Sequence, residues 1–173
     1  MATKIPYNHE LDFEYGRVDA LTPLIRRVIA NNPSAFTFHG TGTYIVGHGQ
    51  VAIVDPGPDL AEHVDALLDA IRGETVSHIL VTHTHNDHSP AVKAVQAATG
   101  APSYAYGPHG TRPEDGASEG GADYDFSPDH LIDDGDVVTG NGWSVEAVHT
   151  PGHCSNHLCF ALQEESTLLC GDH

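Results

Sequence analysis

The densest group of chemically active side chains in this sequence lies within residues 82–90. It places three histidines and one aspartate within six positions, namely His83, His85, Asp87 and His88. Imidazole and carboxylate groups in this number and combination are typical ligands of zinc or a similar first-row metal ion. In an extended segment, residues two apart point to the same side, so His83 and His85 can share one ion. Asp87 and His88 follow where the chain begins to turn, which makes them candidates for a second ion.

This segment lies between a predicted strand and a predicted helix. Residues 76–82 form a strand-like run that ends directly before the first of the histidines. Ser89 and Pro90 then fit the start of a helix that Gly100 ends. A further strand is predicted for residues 103–106. Strand, helix and strand at this spacing predict parallel pairing with right-handed crossovers, and ligands of such units collect at the carboxyl ends of the strands.

The chain before this unit is predicted to begin with an irregular or strand-like lead and to contain two more helices. Thr22 and Pro23 fit an N-cap followed by proline at the first helical position, so the pattern predicts a helix over residues 23–30. Asp59 and Glu62 have the spacing of a capping box at the start of the other helix. Three short strands are predicted for residues 36–39, 43–46 and 51–54, the last two joined as a hairpin.

The chain after this unit begins with a stretch of different composition. Residues 107–130 are rich in glycine, proline and acidic residues, which predicts a long mobile surface loop, either a substrate lid or a plain linker. After this loop the pattern is β throughout, with a type I′ hairpin predicted at the Asn-Gly pair of residues 141–142. A second hairpin around residues 163–166 would place Cys159 opposite Cys170, where we expect two reduced thiols rather than a disulfide.

The pattern His-x-His-x-Asp-His resembles the metallo-β-lactamase superfamily, and the resemblance extends well beyond this motif. It covers roughly residues 20–173, and motifs in this order rarely coincide by chance. The chain is most similar to the beta-lactamase-like subgroup that includes a mitochondrial endoribonuclease and many uncharacterised bacterial hydrolases. The other matching segments are residues 40–46, residues 54–57, Thr-Pro-Gly-His at 150–153 and Cys-Gly-Asp at 170–172.

The resemblance implies an α/β fold, namely the αββα sandwich of this family, with two similar lobes of sheet and helix. It implies a single domain over residues 1–173. Within it we expect a first lobe over 1–106, a mobile acidic loop over 107–130 and the start of a second lobe over 131–173.

The resemblance also implies the metal ligands. By position, the first site would consist of His83, His85 and His153. The second would consist of Asp87, His88 and Asp172, with Asp172 bridging the ions. The ions would be two Zn²⁺, with iron or manganese as alternatives.

The implied activity is that of a hydrolase. A hydroxide that bridges the metal ions would attack a small ester, thioester or lactam-like substrate, and Asp87 would orient this nucleophile and accept its proton. Two other enzyme classes occur on this fold, an endoribonuclease and a non-haem iron sulfur dioxygenase. The oxygen-reducing diiron branch usually has a glutamate where His85 stands, which argues against that branch.

The family usually supplies one further histidine from later in the chain, whereas this sequence stops at His173. The resemblance therefore implies that the second lobe is incomplete after the Gly-Asp-His segment. Such a chain would expose an unpartnered sheet edge, through which copies could self-associate. The alternative to an enzyme is accordingly an inactive, truncated metal-binding fragment.

Charge and composition limit the classes of partner that this chain is expected to bind. The formal net charge is -17, and none of the seven basic residues lies after Arg112. Such a surface repels phosphate backbones and anionic membranes, so nucleic acid is an unfavourable partner and a small-molecule substrate is expected. No stretch of eighteen apolar residues is present, which argues against a membrane span. Three cysteines without a secretory signal point to the cytoplasm.

Several other polar residues near these motifs have less specific signals. Asp55 follows a predicted strand and precedes Pro-Gly, so we expect it to support a ligand or a turn rather than to bind metal. His39 and His157 could line the cleft, but a structural role is favoured for both. Cys154 lies beside His153, yet a metal-bound hydroxide makes a cysteine nucleophile unnecessary.

Overall fold

Two β-sheets and two α-helices make up the part of the chain that a computed structural model describes, residues 10–110 and 121–173. The helices are α1 (Ala61–Ala70) and α2 (Val92–Thr99). The first sheet contains, side by side in chain order, β1 (Val18–Ala20), β2 (Ile25–Ile29), β3 (Gly42–Val46), β4 (Gln50–Val54), β5 (Thr75–Leu80), β6 (Ser103–Ala105) and β7 (His130–Leu131). The second sheet contains β8 (Val137–Gly140), β9 (Trp143–His149), β10 (Leu158–Leu162) and β11 (Thr167–Leu169), in the order β11-β10-β9-β8.

The first sheet changes from antiparallel to parallel pairing at β4. Strands β1 to β4 pair antiparallel, whereas β4 to β7 pair parallel. The change follows from the connections, because a short turn reverses the chain while a helical crossover returns it in the same direction. Helix α1 joins β4 to β5, and α2 joins β5 to β6. The carboxyl ends of these strands therefore lie at one edge of the sheet, and the predicted parallel unit is confirmed.

The two faces of the first sheet pack against different layers. Ala52 and Val54 of β4 belong to a core cluster shared with the second sheet, whereas Val51 and Ile53 belong to a cluster shared with the helices. Successive side chains of a strand point to opposite faces, so a strand buried on both sides has a continuous apolar sequence. Both helices lie on the same side of the stack, and no α-helix covers the outer face of the second sheet among the described residues.

The helix predicted over residues 23–30 is wrong, because most of this segment forms strand β2 (Ile25–Ile29). Ile25, Val28 and Ile29 are buried, and β2 pairs with β1 on one side and β3 on the other. Their β-branched side chains fit a pleated surface well. The hydroxyl oxygen of Thr22 accepts a hydrogen bond from the backbone N–H of Ile25 at 3.0 Å, which is the bond an N-cap would make, but here it closes a turn between strands.

Two smaller predictions about the first half of the chain are also wrong. Residues 36–39 form a turn with a single bridge between Ser34 and Phe38 instead of a strand. The N-cap of α1 is Leu60, which makes no side-chain capping bond, so no capping box forms there. The strands predicted at 43–46, 51–54, 76–82 and 103–106, helix α2 and both later hairpins are confirmed with small changes in their bounds. The type I′ turn predicted at residues 141–142 is wrong, because that turn needs positive φ at both central residues and only Gly142 has it (φ 79°).

The predicted acidic loop over 107–130 is described only in part. Residues 111–120 lie outside the described residues, as do residues 1–9. The loop's later part returns to the first sheet, because Ala122 bridges to His85 and β7 pairs with β6. No helix among the described residues combines the length and apolar character that a membrane crossing needs.

Candidate metal centre

Four potential ligands meet just beyond the carboxyl end of β5. Each of His83, His85, His153 and Asp172 offers one nitrogen or oxygen atom, and these four atoms lie within 4.8 Å of one another. The first two residues follow β5 directly, while His153 lies in the loop between β9 and β10, and Asp172 follows β11. The ends of three strands from both sheets thus deliver the group to one point.

The distances between these atoms fit one small cation. The Nδ1 atom of His85 lies 3.1 Å from Nε2 of His83 and 2.9 Å from Nε2 of His153. Two nitrogens bound to one tetrahedral zinc ion, each about 2.0–2.1 Å away, lie roughly 3.4 Å apart. Oδ2 of Asp172 is 3.5 Å from the nitrogen of His153 and 3.9 Å from that of His83. Nitrogen and carboxylate donors in this arrangement fit a divalent first-row ion.

Hydrogen bonds fix which nitrogen His83 presents to the group. The Thr82 hydroxyl donates its proton to Oδ2 of Asp55 at 2.7 Å, so it accepts from Nδ1–H of His83 at 3.0 Å. The lone pair of Nε2 therefore faces the other ligands, as metal binding requires. Burial, followed by the charge on His88, lowers the pKa of His83 to about 2, which keeps this ring neutral near pH 7.

A second group of ligands adjoins the first through Asp172. Nε2 of His88 lies 3.3 Å from Oδ2 of Asp87 and 3.3 Å from Oδ1 of Asp172, while Nδ1 of His88 donates to Asp55 at 2.9 Å. Burial lowers the pKa of His88, but the surrounding carboxylates, Asp55 foremost, raise it well above its usual value. Burial raises the pKa of Asp87, but its contacts with His88 and Thr41 outweigh this and lower it. Asp172 faces both groups, which is the position predicted for a bridging ligand.

His157 supports Asp172 from inside the fold. Its Nε2 accepts the backbone N–H of Asp172 at 3.2 Å, and its Nδ1 lies 2.8 Å from the hydroxyl oxygen of Thr150. Burial lowers the pKa of this fully buried ring to about 4. Gly171 has φ +51°, and a Cβ there would lie 2.8 Å from Nε2 of His157. The structure therefore gives His157 a structural position, as favoured from the sequence.

The structure brings together all six predicted ligands, in two adjoining groups, and their roles as ligands remain predictions. Asp55 takes the supporting position expected for it. Neither His39 nor His173 belongs to the four-residue group. Sequence reasoning missed Thr41, whose hydroxyl donates to Asp87 at 2.8 Å. The only signal for it was its place two residues before a predicted strand, which says nothing about a partner 46 residues away.

A cleft of about 850 Å³ lies over the site, lined in part by Phe36, Pro58, His85, Asp87 and Asp172. A neighbouring cavity of about 360 Å³ shares Phe36, Asp87 and Asp172 with it. The described residues that line the two spaces include no lysine or arginine. Among the described residues, the walls therefore offer polar and apolar contacts but no lysine or arginine side chain.

Comparison with known proteins places this arrangement in a family. The family model described as the metallo-beta-lactamase superfamily matches residues 37–173. The chain belongs to this superfamily. The predicted family and the predicted fold class are confirmed, and so, at the level of family and fold, is the prediction of an enzyme. Membership also agrees with a divalent metal at the His/Asp group.

Curated relatives of this metallo-beta-lactamase-like chain include two Aspergillus proteins. It is 34% identical over 164 residues to "Lactamase-like protein notP" of Aspergillus sp. (strain MF297-2), covering 90% of this chain and 46% of that protein. It is 35% identical over 159 residues to "Atrochrysone carboxyl ACP thioesterase AacuM" of Aspergillus aculeatus, again covering 90% and 46%. The chain thus spans about half the length of the curated relatives it matches.

Solved structures support the fold alone. A metallo-beta-lactamase HARLDQ motif mutant from Cronobacter sakazakii aligns with TM-score 0.70 and 18% identity, covering 88% of this chain and 62% of that one. The subclass B3 enzyme BJP-1 of Bradyrhizobium japonicum aligns with TM-score 0.65 and 20% identity, covering 84% and 56%.

Proposed function

We propose that this chain carries the site of a metal-dependent hydrolase whose substrate is a small thioester or ester. The observation that carries the proposal is the meeting of His83, His85, His153 and Asp172 at the floor of a cleft. The names of relatives such as the ACP thioesterase of Aspergillus aculeatus favour a thioester over a lactam. We further propose zinc as the metal and two ions per site, because Asp172 adjoins both groups of ligands.

The residues of the site have distinct parts in this proposal. A divalent ion, when bound, supplies a Lewis acid for the substrate carbonyl and lowers the pKa of a water molecule. His83, His85 and His153 would hold one ion through neutral nitrogens. Asp87 lines the cleft and stays a carboxylate near pH 7, because its pKa is lowered. Such a carboxylate can orient the attacking water and accept its proton.

The charge distribution favours an uncharged acyl group over a polyanion. The formal net charge is -17, and no described residue lining the cleft is a lysine or arginine. Nucleic-acid binding depends on neutralising phosphates with basic side chains, and the described residues that line this cleft include no lysine or arginine. We therefore propose a small-molecule substrate, no nucleic-acid partner and no membrane partner. Free thiols at Cys159 and Cys170 favour a reducing compartment such as the cytoplasm.

Metal removal and restoration test the proposal directly. The protein is stripped with a chelator, reloaded with Zn²⁺ and assayed against an uncharged acyl thioester, a β-lactam and a short RNA. We expect hydrolysis of the thioester that disappears on stripping and returns with zinc. His85→Ala should reduce the rate to the metal-free background. His130→Ala is the matched control, since His130 is exposed on β7 and belongs to neither ligand group.

Each other outcome would contradict the proposal and indicate a different activity. Thioester hydrolysis that persists after stripping or in His85→Ala would mean that the His/Asp group is not the catalytic site. RNA cleavage that weakens steeply with salt would indicate a nuclease. Tightly bound iron with oxygen consumption would indicate a dioxygenase. Metal binding without any turnover would mean that the chain is a metal-binding domain without hydrolase activity.

A further inference from the structure

Thr41, at the start of the segment that enters β3, makes a side-chain contact with the candidate catalytic carboxylate. Its hydroxyl donates to Oδ2 of Asp87 at 2.8 Å, and the residue is 7% exposed. The two residues are 46 positions apart, so this bond joins the loop after β2 to the ligand segment after β5. Asp87 is contacted on the same oxygen by Nε2 of His88 at 3.3 Å.

The direction of the Thr41 hydroxyl proton is set by Asn32. Oδ1 of Asn32 accepts the backbone N–H of Thr41 at 2.9 Å, and because a backbone N–H can only donate, this bond fixes the orientation of the amide. The amide nitrogen of Asn32 then donates to the hydroxyl oxygen of Thr41 at 3.1 Å. A hydroxyl has one proton to donate. With Asn32 donating into its oxygen, Thr41 directs that proton to Asp87.

The loop that carries this pair is tightly built. The Thr37 hydroxyl donates to the carbonyl of Asn32 at 2.6 Å, and the N–H of Ala30 donates to the carbonyl of Thr41 at 2.9 Å. A Cβ on Gly40, where φ is +140°, would lie 2.0 Å from the carbonyl oxygen of Ala30. The loop therefore closes on itself and holds Thr41 at a fixed distance from the ligand segment.

We propose that Thr41, oriented by Asn32, is a positioning residue that sets the carboxylate of Asp87 for the second metal position. The Thr41 and His88 contacts share one oxygen, so rotation of the carboxylate would break both of them. Thr41 thereby limits Asp87 to one orientation. The inference rests on the proposed function in one respect, since it takes Asp87 to be a ligand of the second ion.

A cobalt titration of the metal-free protein tests this role without an activity assay. Wild type and variants are titrated with Co²⁺ in the presence of a competing chelator, and the visible absorption reports ligand geometry. Thr41→Val keeps the shape of the side chain and removes the hydroxyl. We expect this variant to bind the first ion with wild-type affinity and the second ion about 10- to 100-fold more weakly. That is the usual effect of losing a hydrogen-bond partner of a metal ligand.

Two further variants separate positioning from loop stability. Thr41→Ser retains the hydroxyl, so its affinity for the second ion should be within a few-fold of the wild-type value. Thr37→Val is the matched control, because it removes a threonine hydroxyl from the same loop without touching Asp87. It should weaken binding of the second ion much less than Thr41→Val does, because the Thr41 hydroxyl and its bond to Asp87 remain. Thermal unfolding of each metal-free variant establishes that the fold is intact.

Asn32→Asp carries the test if Thr41→Val does not fold. The new carboxylate would accept the Thr41 proton and turn it away from Asp87, so the second ion should bind more weakly despite the added negative charge. Equal or tighter binding would overturn the inference. Wild-type affinity for both ions in Thr41→Val would overturn it too. The same holds if Thr41→Val and Thr37→Val lose equal affinity for the second ion, or if the wild-type protein binds a single ion. If the cobalt titrations give the expected affinities but no thioester is hydrolysed, the proposed function is refuted and the role of Thr41 stands.

Discussion

Asp55 is not itself a candidate ligand, but its carboxylate supports candidate ligands of both groups. Its carboxylate accepts the backbone N–H and the hydroxyl of Thr82, each at 2.7 Å, and Nδ1–H of His88 at 2.9 Å. It is 2% exposed and has φ 50°, a conformation that aspartate tolerates better than most residues. A buried carboxylate needs such donors to offset its loss of hydration. Asp55 thereby orients ligands of both groups.

The substitution Asp55→Asn should weaken metal binding while keeping the shape of the side chain. An amide offers one acceptor oxygen where the carboxylate offers two, so Thr82 and His88 cannot both keep their partners. We expect a loss of about 10- to 100-fold in zinc affinity. Competition with a chromophoric chelator measures it. Asp59→Asn, at an exposed position near α1, is the control, and an unchanged affinity in Asp55→Asn would contradict the role given to Asp55.

The individual ligands could be predicted from sequence because most of them lie in short motifs. His83, His85, Asp87 and His88 share one segment, so spacing alone groups them. His153 and Asp172 could be assigned only through the resemblance to a family, since nothing local brings them to that segment. Thr41 could not be predicted, because its contact depends on how two loops meet.

At the scale of elements, prediction succeeded where each segment carried its own signals. Helix α2 ends at Gly100, which adopts the left-handed conformation (φ 73°), and β4 is a continuous apolar run after Gln50. The helix prediction for the segment after Thr22 was wrong because the local sequence signal is ambiguous. The Thr22 hydroxyl accepts from Ile25 N–H in the turn as it would in a helix. Pairing with β3 decides between the two, and that pairing is not a local property.

His63 joins helix α1 to the turn that carries Asp55. Its Nε2–H lies 3.0 Å from the hydroxyl oxygen of Thr43 and 3.1 Å from the carbonyl oxygen of Pro56. The ring is 2% exposed, and Nδ1 has no hydrogen-bond partner among the described residues. Burial lowers the pKa of His63. The helix is thus docked through a histidine that has to stay neutral.

Protonation of His63 should make the fold less stable in mild acid. The unfolded chain binds this proton with an ordinary histidine pKa of about 6.5, whereas the folded state binds it only at lower pH. Stability is therefore fully present above pH 6.5 and falls as the pH is lowered through that value. We expect His63→Gln to reduce this loss below about pH 6.5. Urea unfolding of the metal-free protein at several pH values measures it.

The controls for this prediction separate His63 from other histidines. His48→Gln changes an exposed histidine and should leave the pH dependence of stability as in wild type. Chelator present throughout removes any contribution from metal release. If His63→Gln loses stability in acid as steeply as wild type does, then other buried groups such as His157 cause the effect.

At the scale of the whole molecule, the two sheets meet around Trp143. Its indole N–H donates to the carbonyl of Gln50 at 3.0 Å, across 93 positions of sequence. A Cβ on Gly47 or Gly140 would lie 2.3 or 2.1 Å from the ring, so both glycines allow its close approach. Hydrophobic patterns predicted the hairpins on either side. The stacking of the sheets came from the resemblance, because no local pattern specifies which faces meet.

The exposed edge of the second sheet leads to a prediction about assembly. Strand β11 is the outer strand there, it pairs only with β10 among the described strands, and its Leu168 is 52% exposed. An outer strand with an exposed apolar side chain is a template for pairing, and two copies could join their β11 strands antiparallel about a two-fold axis. For residues 1–173 by themselves, we expect a concentration-dependent dimer that Leu168→Lys dissociates.

The opposite edge of the same sheet provides the control for this dimer. Val137 of β8 is 50% exposed, so Val137→Lys adds the same charge to an equally exposed edge residue and should leave the dimer intact. Each copy carries a formal net charge of -17, and salt screens such repulsion, so the dimer should strengthen from low to moderate ionic strength. Sedimentation velocity at several concentrations measures both effects. A wild-type protein that stays monomeric, or a dimer equally sensitive to both lysines, would mean that β11 is not the interface.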